Sequence, residues 1–91
     1  MVKRLECKIS GRVQLVMFRD FASRKAKKLG LVGFVQNSDD GSVLAVAEGD
    51  QEKLQDFLSH LWRGPVGGRI DDIETRWLEP KNEFRYFEIR Y

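Results

Sequence analysis

Cysteine is nearly missing from this chain. Cys7 is the only one, so no disulfide can close within it and no thiolate cluster can hold a metal. A free cysteine packs as a small hydrophobe, and Cys7 reads as a buried strand thiol. Histidine is equally scarce, with His60 alone, and no acidic cluster has ligand spacing. Asp39-Asp40 and Asp71-Asp72 are sequence neighbours whose side chains point apart in a strand, so they read as turn and surface. The sequence therefore predicts no metal and no cofactor. An excess of one charge is lacking too: 16 basic residues against 14 acidic ones leave a formal net charge of +2. A dedicated nucleic-acid binder carries a one-sided basic excess, whereas this balance suits drawing a small anion to one local site. No apolar run approaches the ~20 residues that span a bilayer, and the opening MVKRLECKIS lacks the apolar stretch of a secretory signal. The expectation is a cytoplasmic monomer without membrane or nucleic-acid partners.

What is present suffices for one small core. The 91 residues predict a single domain over 1–91. A domain this short buries only about 60–65% of the surface its unfolded chain exposes, and 42% hydrophobic residues, with six Phe, two Trp and two Tyr, can fill it. Residues 5–13 alternate, Leu5, Cys7 and Ile9 against Glu6, Lys8 and Ser10, as a half-buried strand does. Phe18, Phe21, Ala22, Ala26 and Leu29 then recur at helical spacing, with Arg24, Lys25, Lys27 and Lys28 on the solvated side. Gly30 supplies a helix stop. Residues 31–36 read as a strand, and Asn37-Ser38-Asp39-Asp40-Gly41 as a turn into a strand over 42–48, together a hairpin.

Asp50 is a natural N-cap for a second helix, with Glu52 in its first turn, a stripe of Leu54, Phe57, Leu58 and Leu61, and Gly64-Pro65 at its end. Residues 70–77 and 84–89 read as two further strands. Phe84 and Phe87 are out of phase, which predicts a bulge there. Trp62 and Trp77 read as core or core rim, Phe18 and Phe21 as core anchors, and His60 as exposed. The order β-α-β-β-α-β with a short extra C-terminal strand predicts an α+β, ferredoxin-like sandwich, two helices on one face of an antiparallel sheet.

Chemistry concentrates in Gly11-Arg12-Val13-Gln14-Leu15-Val16-Met17-Phe18-Arg19, which joins a strand to a helix start. Unpaired amides at a helix N-terminus carry positive partial charge and can hold a phosphate. Arg19 stands where its guanidinium could grip two phosphate oxygens. On these grounds alone, an anion site and an ordinary surface arginine both stay open.

The segment resembles the acylphosphatase signature, a loop of the form GRVQGVxFR, through Gly11, Arg12, Val13, Gln14, Val16, Phe18 and Arg19. Leu29-Gly30-Leu31-Val32-Gly33-Phe34-Val35-Gln36-Asn37 with Asp40-Gly41-Ser42-Val43 is similar to the family's second signature. Glu48-Gly49, Gly64-Pro65 and residues 83–90 also match its habits. The resemblance implies metal-independent hydrolysis of an acyl phosphate to a carboxylate and inorganic phosphate. It implies that Arg19 binds the phosphate with the main-chain amides of Gln14, Leu15, Val16, Met17 and Phe18, and that Asn37 holds the attacking water. A neutral carboxamide, at once donor and acceptor, suits that task.

The family has glycine at the position of Leu15, and a small or aromatic residue at that of Met17. A leucine in the left-handed conformation would cost roughly 1–2 kcal/mol, so the expectation is weakened activity. Two other readings stand beside it. One is an impaired relative that binds anions or a partner. The other is an RNA-recognition module, with Gly30-Leu31-Val32-Gly33-Phe34-Val35 as its aromatic strand.

Overall fold

The computed structural model describes residues 1–14 and 17–91. Its elements are β1 (Val2–Arg12), α1 (Phe18–Lys28), β2 (Val32–Asn37), β3 (Val43–Asp50), α2 (Gln51–Arg63), β4 (Arg69–Leu78) and β5 (Phe87–Arg90). Local chemistry sets the end of α1 and both ends of α2. In α1, Phe18, Ala22 and Ala26 are buried along one stripe. At its end the Leu31 amide reaches back to the Ala26 carbonyl at 2.9 Å and that of Gly30 to Lys27 at 3.1 Å. Gly30, at φ 73°, supplies the left-handed residue this closure needs. In α2 the Asp50 side chain accepts from the Glu52 amide at 3.2 Å, Leu54, Phe57 and Leu61 are buried, and Gly64 ends the helix. No helix among the described residues is long and apolar enough to cross a membrane.

The strands form one sheet in the order β4-β1-β3-β2-β5. β4, β1, β3 and β2 pair antiparallel, as expected, while β5 lies parallel to β2, which makes the sheet mixed. Side chains alternate between its faces. Leu5, Cys7 and Ile9 of β1, Val43, Ala45 and Ala47 of β3, and Val35 of β2 enter the core with Phe18, Leu54 and Phe57 from the helices. Phe87 of β5 belongs to that core, and Ile89 packs against it. Strand direction then sorts the ends. β1, β2 and β5 all finish at the same end of the sheet, and the chain leaving β1 enters α1 there.

β5 is parallel to β2 because the chain leaves β4 at the opposite end and crosses the sheet's outer face to the far edge. Residues 79–86 make that crossing. They are held by the buried Glu48 carboxylate, which accepts from the Lys81 amide at 2.9 Å and the Asn82 amide at 3.1 Å. Arg4, also buried, donates to Glu48 at 2.9 Å. Phe84 lies 5.9 Å from the Phe34 ring and under the Arg4 guanidinium. Phe84 is therefore part of the crossing strap and not of the last strand, which begins at Phe87; this is why the two phenylalanines are out of phase. The irregular register falls elsewhere, where Ser10 pairs Asp72 but Gly11 pairs Ile70. Gly11 sits there at φ 134°, and a Cβ on it would lie 2.1 Å from the Arg69 carbonyl oxygen, so only glycine fits.

Trp62 and Trp77, read as core or core rim, are 47% and 40% exposed and lie outside the core. Trp77 belongs to an edge strand whose only buried residue is Ile73, and Trp62 follows the half-buried Leu58 round to the outside of α2. Phe18 is fully buried, Phe21 only half-buried, and His60 is half-buried as well. Phe34, on which the RNA-recognition reading depended, is 8% exposed beneath Phe84 and Arg90, leaving no ring face for a base to stack on.

Candidate active site

The end of the sheet where β1, β2 and β5 finish gathers the residues the sequence singled out. Asn37 closes β2 on the same face as Val35, two positions earlier and fully buried in the core, so its side chain points to the helix side. Arg19 lies in the first turn of α1, on that side. Its Nη1 donates to the Arg90 carbonyl at 3.2 Å, and its guanidinium carbon stands 4.8 Å from the centre of the Tyr91 ring. Arg90 is opposite Gln36 in the β2–β5 pairing, so the guanidinium is held beside the end of β2 that carries Asn37. Gln14, Met17, Phe18, Arg19, Asp20, Ile89 and Tyr91 line one open cleft.

The start of α1 carries no side-chain cap. Met17 is its N-cap at φ 57° and ψ 35°, and a thioether offers no cap hydrogen bond. The first amides of α1, at the positive end of the helix dipole, thus receive no side-chain cap from Met17. Asp20, in the same turn, is held by Arg24 at 3.0 Å. The Asn37 Oδ1 is buried with no hydrogen-bond partner among the described residues. A buried oxygen of this kind needs a donor.

Gln14 joins the two halves. Its Nε2 donates to the carbonyls of Ser38 and Ser42, each at 2.8 Å, on both sides of the turn that follows Asn37. In that turn the Asp40 carboxylate accepts from the Ser42 amide at 3.0 Å and faces Lys8 at 3.1 Å. The Ser42 hydrogen bonds first, and then Lys8, hold its carboxyl well below the usual range.

The sequence profile of the acylphosphatase family matches residues 5–89. A curated acylphosphatase from Caldanaerobacter subterraneus subsp. tengcongensis is 39% identical over 89 residues, 98% of this chain and 99% of its own. The chain belongs to the acylphosphatase family. A Thermus thermophilus acylphosphatase is 47% identical over 76 residues, 84% of this chain and 86% of its own. The crystal structure of an acylphosphatase from Bacillus subtilis superposes with a TM-score of 0.94 at 34% identity, over the whole of both chains.

Of the positions that the family resemblance singled out, Gln14, Met17, Phe18 and Arg19 share the cleft, while Asn37 closes β2 at the same end of the sheet but is not among the residues lining it. Leu15 and Val16 lie outside the described residues. Three features escaped the sequence reading: the Gln14 side chain as a cross-link, the Arg90 carbonyl as an acceptor, and the Tyr91 ring beneath Arg19. For Tyr91 a signal existed, since it extends the Phe87, Ile89 alternation by one step. For the other two there was none, because a backbone carbonyl carries no residue signature.

Proposed function

We propose that this acylphosphatase-family chain hydrolyses acyl phosphates to a carboxylate and inorganic phosphate, with Arg19 as the phosphate-binding group and Asn37 as the holder of the attacking water. The observation that supports this reading is that Arg19 and Asn37 lie at one end and on one face of the sheet, beside a helix start without a side-chain cap. The guanidinium and the amides at residues 14–18 take the phosphoryl oxygens, Leu15 and Val16 included. Phosphoryl transfer depends mostly on positioning and on charge stabilisation, so donors already aimed at the oxyanion lower the barrier without covalent help.

The Asn37 carboxamide accepts a hydrogen bond from the water through Oδ1, which has no partner among the described residues, and this directs a lone pair towards phosphorus. As the new P–O bond forms, the bond to the acyl oxygen breaks and leaves a carboxylate. That leaving group needs little protonation, so no general acid is required. Both protons of the water end on the released phosphate. The site reads phosphate and anhydride, and the reading includes a chain that works alone in the cytoplasm.

The test is hydrolysis of benzoyl phosphate in EDTA by wild type, Arg19→Ala and Asn37→Ala. Arg19→Ala loses about 10²–10³-fold in turnover and weakens inhibition by inorganic phosphate. Asn37→Ala loses turnover on the order of 100-fold with phosphate inhibition retained. Equal rates for the three proteins would remove both residues from the mechanism.

A further inference from the structure

We infer that the Gln14 side chain is the positioning residue that fixes Asn37 relative to Arg19, by bonding the start of the phosphate loop to the turn after Asn37. The inference rests on the roles of Arg19 and Asn37 proposed above. A primary amide nitrogen carries two hydrogens, and both are used, on the Ser38 and Ser42 carbonyls at 2.8 Å each. No donor is left on the side chain for a phosphate, so its part is not to bind one.

Nor are these bonds needed to form the hairpin. The turn closes by itself, with the Ser38 amide on the Ser42 carbonyl at 2.9 Å and the Gly41 amide on the Ser38 carbonyl at 3.2 Å. What the Gln14 bonds add is a link across 24 and 28 residues of chain. One end of that link is firm, because the adjacent Val13 is 1% exposed in the core. The other end is a turn whose Asp39, Asp40 and Gly41 are exposed.

Asn37 has no protein group on its Oδ1 among the described residues. Its aim is therefore inherited from the backbone at the hairpin end. If that end moves by an ångström, the water is misplaced, a change that costs on the order of 100-fold. Sequence and function meet in one residue here: glutamine has the reach and both hydrogens. A hydroxyl has one, and a carboxylate has none.

The experiment compares Gln14→Met, of similar length without donors, with wild type in benzoyl phosphate hydrolysis, each with and without Asn37→Ala. Gln14→Met is expected to lower kcat about 10–100-fold while the inhibition constant of inorganic phosphate stays within about threefold. In the Asn37→Ala background the same substitution should change kcat by less than about twofold, because groups acting as a unit are not additive. An unchanged kcat, an equal drop in both backgrounds, or a loss confined to phosphate affinity overturns the inference. Should Gln14→Met not fold, Gln14→Asn, which keeps the amide but can reach only one carbonyl, is read by the same criteria. If Asn37→Ala itself retains full kcat, it is the water-holding role that fails.

Discussion

Met17 holds a left-handed backbone while its side chain is 75% exposed, so packing does little to repay the strain. That conformation costs a non-glycine residue roughly 1–2 kcal/mol, and strain of this kind gathers at functional sites. Met17→Gly removes it but adds about 0.5–1 kcal/mol of chain entropy in the unfolded state. The net expectation is a gain of up to about 1 kcal/mol, read as a rise in melting temperature that reaches at most about 4–8 °C. Met17→Ile, with a branched Cβ, should lower the melting temperature. Leu15, where the family has glycine, is tested by rate: Leu15→Gly is expected to hydrolyse acyl phosphate faster than wild type. A glycine variant no faster than wild type would show that Leu15 does not perturb the site.

The strap over the outer face is the element on which the far edge of the sheet depends. Glu48 holds it by two backbone amides and is itself paired with Arg4. Removing one partner of a buried ion pair leaves the other uncompensated and costs about 3–5 kcal/mol. Glu48→Ala should therefore lower the unfolding free energy by about that amount in urea titration, and Arg4→Met combined with Glu48→Met should cost less than Glu48→Ala alone. None of this was legible in the sequence, because Arg4 and Glu48 are 44 residues apart and each looks like an ordinary strand charge. The helices were legible for the opposite reason. Their stripes, the Asp50 cap and the Gly30 stop act within a few residues, and the structure keeps them, with only Phe21, Leu29 and Leu58 of the stripes half-buried. At the proposed site, the motifs pointed to Arg19 and Asn37, while the Gln14 bonds to the turn after Asn37 are tertiary contacts that no local pattern encodes.

At the scale of the molecule, the shifted groups bracket a pH range in which the fold is most stable. Burial pushes the Glu48 carboxyl up, but the Lys81 and Asn82 amides and the Arg4 guanidinium outweigh it and hold the group below its ordinary 4.5. Asp40 is held below 3.8 by Ser42 and Lys8. A carboxyl whose pKa falls on folding stabilises above its unfolded value, and that contribution is lost as pH drops through the folded value. His60 is lowered from 6.5, by burial first and then by Lys25, Arg63 and Lys28 with Asp56 opposing, so the folded protein resists a proton that the unfolded chain accepts below 6.5. On the alkaline side, burial pushes the Cys7 thiol from 9.0 up to about 12. The unfolded thiol ionises first, and stability falls as pH rises from 9.0 towards 12. Lys8, raised above 10.5 by Asp40 and Glu74 against a small effect of burial, acts in the same direction. Urea midpoints should therefore stay level between 6.5 and 9.0 and decline on both sides. Cys7→Ala should lower the whole curve, because it opens a cavity in the core, yet flatten its alkaline limb. An alkaline limb as steep in Cys7→Ala as in wild type would show that the buried thiol does not set it.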